Sequence, residues 1–225
     1  MATKTIKALL LVLLGISVER GPVSAQLAPA NASPIATVTF VTWSGGPSPP
    51  YFSVAITSLG NVSYWSLPNS DQHTGEPYMV EFAASDATRT EIFQLAQKLN
   101  FFRGNFKLAH PRTGMISLTF AEGPIKNQIF YTSSRDHSIK RLTALFESIS
   151  ASLEYGRTLE QLRTGNPNRL AAELKQMARQ TSHGRLVEVQ AIAPVLRRIA
   201  SDPAIPETSR HYAQSVLAKT HLHEG

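Results

Sequence analysis

A two-residue alternation between residues 51 and 66 is the feature that most constrains the fold. Phe52, Val54 and Ile56 share one parity, and smaller or polar residues occupy the other. Successive side chains of a strand point to opposite faces, so this pattern predicts a strand with one buried face. A turn containing Gly60 follows, and the alternation then resumes. The stretch therefore predicts a β-hairpin.

Further segments, some with the two-residue period of strands and some with apolar residues at helical spacing, extend this hairpin into an α+β fold. Strand patterns occupy 37–42 and 78–82, and a second hairpin occupies 116–131. Apolar residues at helical spacing predict helices over 86–99 and 137–153. We expect an antiparallel sheet of hairpins with both helices packed on one face.

The chain changes character from Glu154 onward, where strand patterns vanish and Ala, Leu, Arg and Gln dominate. Asn166 followed by Pro167 predicts a helix start, since Pro is tolerated in the first turn. Pro194 predicts a kink or a break, and 207–219 predicts the last helix. The boundary near Glu154 either divides two domains or marks a helical extension of one.

The N-terminus has the pattern of a secretory signal. Lys4 and Lys7 precede a nine-residue apolar run at 8–16, which is too short to span a bilayer core of about 30 Å. The small residues at 23–25 predict cleavage after Ala25. An uncleaved anchor is the alternative. We expect export to the periplasm or the extracellular space, and no membrane span after cleavage.

These boundaries divide the chain into four parts. They are a signal peptide (1–25), a flexible leader (26–35), an α+β domain (36–153) and a helical C-terminal segment (154–225).

Composition excludes several classes of protein. There is no cysteine, which rules out disulfides and a thiol nucleophile. The formal charge is +6, and removal of three cations and one anion with the signal lowers it to +4. This excess is scattered, whereas nucleic-acid binding needs a dense basic stripe. No phosphate-binding loop, dinucleotide fingerprint or metalloprotease motif occurs, so we predict no nucleic-acid partner, cofactor or metal.

Aromatic residues around a Gly- and Pro-rich loop are the candidate binding residues. The loop at 45–50 contains three prolines, which stiffen it. A stiff loop beside rigid aromatics suits recognition of a protein, peptide or glycan partner, because little ordering is needed on binding. This hypothesis assigns Trp43, Tyr51, Tyr64 and Trp65 to the contact surface. The alternative is that the tryptophans cap the core and the prolines protect an edge strand.

A second hypothesis places a hydrolytic site around Asp136, His137 and His110. Ser133 and Ser134 lie beside the first two, but neighbours along a chain rarely face one another as a triad requires. Asp136 also suits the N-cap of the following helix.

Two segments resemble known families. Pro-Tyr-x-Ser-Val-x-Ile at 50–56 and Gly-x-Val-x-Tyr at 60–64 resemble the opening hairpin of a bacterial exported domain family of unknown function. The resemblance covers about 36–153 and implies two hairpins, each followed by a helix. The family places a Cys near Ser48 or Pro49, so any role of that Cys is absent here. Residues 191–213 are similar to a HEAT-type helix pair.

The sequence therefore predicts an exported, non-enzymatic binding or adaptor module of unknown ligand. An envelope hydrolase is one alternative, and a structural component of an envelope assembly is another.

Overall fold

A computed structural model of the chain describes residues 34–43, 49–67, 76–104, 106, 108–109 and 114–220. The loop at 44–48, most of the predicted signal and leader, and His110 lie outside these residues.

The larger sheet has six antiparallel strands in the order β4-β3-β2-β1-β6-β7. A small second sheet pairs β5 with β8. The strands are β1 (Thr37–Trp43), β2 (Tyr51–Thr57), β3 (Asn61–Ser66), β4 (Tyr78–Ala83), β5 (Leu108–Ala109), β6 (Met115–Glu122), β7 (Ile125–Tyr131) and β8 (Ser133–Ser134). Both predicted hairpins are present. They meet through β1, which pairs with β2 on one side and β6 on the other.

One helix lies between β4 and β5 and the others follow β8, and the predicted α+β class is confirmed. The helices are α1 (Asp86–Lys98), α2 (His137–Arg163), α3 (Pro167–Ser182), α4 (Ala193–Ser201) and α5 (Glu207–Thr220), with short 3-10 turns at Asn100–Phe102 and Val189–Ile192. Ser85, Asp136 and Asn166 cap α1, α2 and α3 with side-chain oxygens. The predicted break at Pro194 is confirmed, since α4 begins at Ala193 with Pro194 in its first turn.

One hydrophobic core joins the inward face of the sheet to the helices. Phe52, Val54, Leu118 and Leu145 are all at most 6% exposed. Phe40 of β1 stacks on Phe146 of α2 with ring centroids 5.2 Å apart. The alternating strands thus place their apolar side chains beneath α1 and α2, as the periodicity predicts.

The helical C-terminal segment packs on the same core and is hydrogen-bonded to α2. Residues from Pro34 onward form one compact unit, and α2 continues past the predicted end at residue 153 to Arg163. Ser148 of α2 donates to the Arg185 carbonyl at 2.7 Å and accepts from the Val187 amide at 3.0 Å. Ser152 donates to the Val187 carbonyl at 2.6 Å. The extended segment before α4 therefore lies along α2.

In the part of the chain that the structure describes, none of the helices combines the length and apolarity needed to cross a bilayer.

Candidate binding surfaces

Three of the four predicted binding residues lie together on the outward face of the sheet. The Tyr51 ring is 5.1 Å from the Trp43 ring and 4.8 Å from the Trp65 ring, both edge to face. We call Trp43, Tyr51 and Trp65 the aromatic strip. Edge-to-face pairs are favourable contacts, so the strip is ordered before any partner arrives.

Tyr64 does not join the strip, because it is the neighbour of Trp65 in β3 and points to the opposite face. Its side chain is buried, and its hydroxyl lies 2.9 Å from Ser150 Oγ. The same hydroxyl donates to Glu154 Oε1 at 2.8 Å. Burial, and then the nearby Glu154 carboxylate, raise the pKa of Tyr64. Three of the predicted residues thus lie on the outward face, while the fourth, Tyr64, is buried in the core and contacts Glu154, which lines a second surface.

The second surface is a cleft of about 620 Å³ bounded by the ends of β1 and β2 and by α2 and α3. Its lining includes Glu147 and Glu154 from α2 and Glu173 from α3. We call it the acidic cleft. None of the described residues that line it is Lys, Arg or His. Pro49, which belongs to the predicted recognition loop, also lines it.

Hydrogen bonds fix the floor of the acidic cleft. Glu154 Oε1 accepts from Tyr64 and also from Ser66 Oγ at 2.6 Å. Glu154 Oε2 lies 3.7 Å from Arg157, whose guanidinium stands 5.7 Å from the centre of the Tyr78 ring. Burial, and then Glu154, raise the pKa of Tyr78 to about 12. The Glu154 carboxylate is therefore held in one orientation.

Among the described residues, the side chains along the sides of the acidic cleft make fewer hydrogen bonds than Glu154 does. Glu147 as a residue reaches solvent, yet the protein packed around its carboxyl group raises its pKa by desolvation. Burial, and then the charge of Glu173, also raise the pKa of Tyr155, against a hydrogen bond with Gln176. A cation bound beside Glu147 would offset this desolvation.

The hydrolase hypothesis gains no supporting contact from the described residues. Asp136 caps α2 by accepting from the amides of Ser138 and Ile139 at 2.8 and 3.1 Å. His137 is the exposed first residue of α2, and His110 lies outside the described part of the chain. Within that part, no three His, Asp or Glu side chains are grouped as metal ligands would be.

Sequence reasoning named the three residues of the strip as contact residues, which stays a prediction, and missed the acidic cleft. Glu147 and Glu154 are seven residues apart, which places them on one face of a helix. That spacing was a usable signal for two of the three carboxylates. Glu173 joins them only because α3 folds back along α2, which no local pattern predicts.

No protein-family model and no curated protein sequence matches the chain. The resemblances to an exported domain family and to a HEAT-type helix pair stay predictions.

Proposed function

We propose that the chain is an exported binding module whose acidic cleft holds a short peptide segment with basic side chains. The observation that carries this proposal is the charge of the cleft. Glu147, Glu154 and Glu173 line it and no described lining residue is basic, although the chain as a whole carries a formal charge of +6. Export rests on the N-terminal pattern of a basic start, a short apolar run and small residues before the predicted cleavage point after Ala25.

The size and polarity of the acidic cleft suit such a ligand. A volume of about 620 Å³ falls within the range of about 300–1,000 Å³ that small-ligand sites occupy. Ala151 and Tyr155 supply apolar surface, while Gln176 and Gln180 supply amides that pair with a peptide backbone. Carboxylates in a partly dehydrated site attract ammonium and guanidinium groups more strongly than they do in water.

The same contacts favour binding over catalysis. Glu154 already accepts hydrogen bonds from two hydroxyl groups and faces Arg157, so it is poorly placed to exchange a proton with a substrate. Its fixed orientation instead lowers the ordering cost of binding a cation.

Titration with trilysine tests the proposal, with fully Nζ-acetylated trilysine as the uncharged comparison. Isothermal calorimetry at low salt should show binding of trilysine alone. Partly exposed ion pairs contribute about 0.2–1 kcal/mol each, so the double variant Glu147→Gln with Glu173→Gln should weaken binding by about 2- to 30-fold. Added salt should weaken it further.

Glu207→Gln is the matched control, because it removes one carboxylate from the exposed first turn of α5, outside the cleft lining. It should leave the trilysine affinity unchanged. Equal binding of the acetylated peptide, or full affinity in the double variant, would contradict the proposal.

A further inference from the structure

We propose that the outward face of the six-stranded sheet binds the same face of a second copy of this chain. This face, which we call the open face, carries the aromatic strip and lies on the side of the sheet opposite the core. It also carries large exposed apolar side chains: Met79 is 71% exposed, Phe130 44% and Trp43 43%. This association is separate from binding in the acidic cleft.

Charge is confined to the edges of the open face. Every outward residue of β1, β2, β3 and β6 is uncharged, and away from the strip these residues are mostly Ser, Thr, Ala and Val. The edge strands carry the charged side chains, Glu81 on β4 and Lys126 on β7. An uncharged centre with a charged rim is the arrangement of protein interfaces.

The strand register places two of these exposed apolar side chains, Met79 and Phe130, at opposite ends of one row. The pairings place Met79, Trp65, Ser53, Val41, Ser117 and Phe130 side by side across all six strands. Met79 is on one edge strand and Phe130 is on the other.

This row is self-complementary, because a two-fold axis brings one of its ends onto the other end in a second copy. A two-fold axis parallel to the strands, between two facing sheets, lays β4 of one copy over β7 of the other. Met79 of each copy then meets Phe130 of the second copy, a favourable sulfur–aromatic contact made twice. Glu81 lies one row away from Lys126, about 7 Å along the strand, so the two opposite charges also come within reach across the interface.

The area is sufficient for a reversible dimer. Six strands about 4.8 Å apart, each about six or seven residues long, give about 600 Å² per copy and about 1,200 Å² in total. This is the lower end of specific interfaces, so we expect a dissociation constant on the order of 1–100 µM.

Sedimentation equilibrium on the chain from Gln26 onward, which contains the whole compact unit, tests the proposal. The unaltered protein should pass from monomer to dimer between about 1 and 500 µM. Met79→Glu and Phe130→Lys should each raise the dissociation constant at least tenfold, because each leaves two unpaired charges in the interface. An equimolar mixture of the two variants should recover a dimer, because the introduced carboxylate of one variant then pairs with the introduced ammonium group of the other, in place of one Met79–Phe130 contact.

Leu59→Glu is the control, since Leu59 is 63% exposed at the β2–β3 turn and lies off the open face. It should dimerise like the unaltered protein, and all variants should keep their near-ultraviolet circular dichroism. If the chain stays monomeric at about 500 µM, the open face does not bind a second copy and the proposal is overturned. Single variants that dimerise normally, or a mixture that fails to recover the dimer, would also overturn it.

Discussion

Replacement of Gly156 by Ala tests how the helical C-terminal segment docks on α2. Gly156 is a buried residue in the interior of α2, opposite the 3-10 turn that precedes α4. A Cβ atom built at Gly156 would lie 2.5 Å from Ile192 Cγ2 and 3.0 Å from Ile192 Cβ. The first distance is far inside van der Waals contact, so one of the two elements must move.

The structure sets the size of the effect. Ile192 is 2% exposed and branched at Cβ, so its methyl group cannot turn away freely. Overpacking of a core costs about 1–3 kcal/mol, and a contact of 2.5 Å belongs at the upper end of that range. Ala in a helix regains about 1 kcal/mol over Gly. We therefore expect Gly156→Ala to lower the free energy of unfolding by about 2 kcal/mol, or Tm by about 4–8 °C.

Urea unfolding followed by far-ultraviolet circular dichroism measures this change. Gly165→Ala is the matched control, because a Cβ there would meet only carbonyl oxygens at 3.7 Å or more. It should change the free energy of unfolding by less than about 0.5 kcal/mol. In an Ile192→Ala background, the cost of Gly156→Ala should largely disappear, since the opposing methyl group is gone. A Gly156→Ala protein as stable as the parent would refute the close approach of Ile192.

Substitutions at three further polar residues can be tested by thermal or urea unfolding. Glu188→Ala removes the carboxylate that accepts from the Ser85 amide at 3.1 Å and from Ser85 Oγ at 2.7 Å, and should cost about 1.5–3 kcal/mol, with Glu188→Gln costing less. Tyr131→Phe removes a hydroxyl 2.6 Å from Thr143 Oγ1 and should cost about 0.5–1.5 kcal/mol; no loss would contradict that bond. Burial raises the pKa of Glu147, so ionisation of this group destabilises the fold. The stability advantage of Glu147→Gln over the parent should therefore grow as pH rises from below the ordinary carboxyl pKa to above the raised pKa. An advantage that grows as pH falls would contradict the shift.

The fold was predictable where one face of an element is uniformly apolar. The alternation in β2 and β3, and the capping residues Ser85 and Asp136, are local signals that the structure retains. The continuation of α2 beyond residue 153 was not predictable from such signals. Beyond that point Glu154 and Gly156 occupy positions that face other elements, and they interrupt the apolar stripe.

Each interruption has a partner distant in sequence. Glu154 accepts a hydrogen bond from Tyr64, and Gly156 makes room for Ile192. A pattern that counts only apolar residues reads these positions as the end of a helix, because their partners are distant in sequence. The same reason hid the acidic cleft, whose carboxylates come from two helices joined by a turn.

Strand β3 contributes one side chain to the open face and another that contacts Glu154 of the acidic cleft. The two binding proposals can therefore be tested separately. Trp65 lies on the open face, where its ring contacts Tyr51, while the adjacent Tyr64 reaches Glu154 in the floor of the acidic cleft. Because neighbouring side chains of a strand point to opposite faces, each can be altered without touching the other surface. Trp65→Ala should weaken the dimer and leave trilysine binding intact, whereas Tyr64→Phe frees the Glu154 carboxylate from one donor and should alter trilysine binding alone. Parallel loss of both properties in either variant would show that the strand itself had shifted, and near-ultraviolet circular dichroism would detect that change.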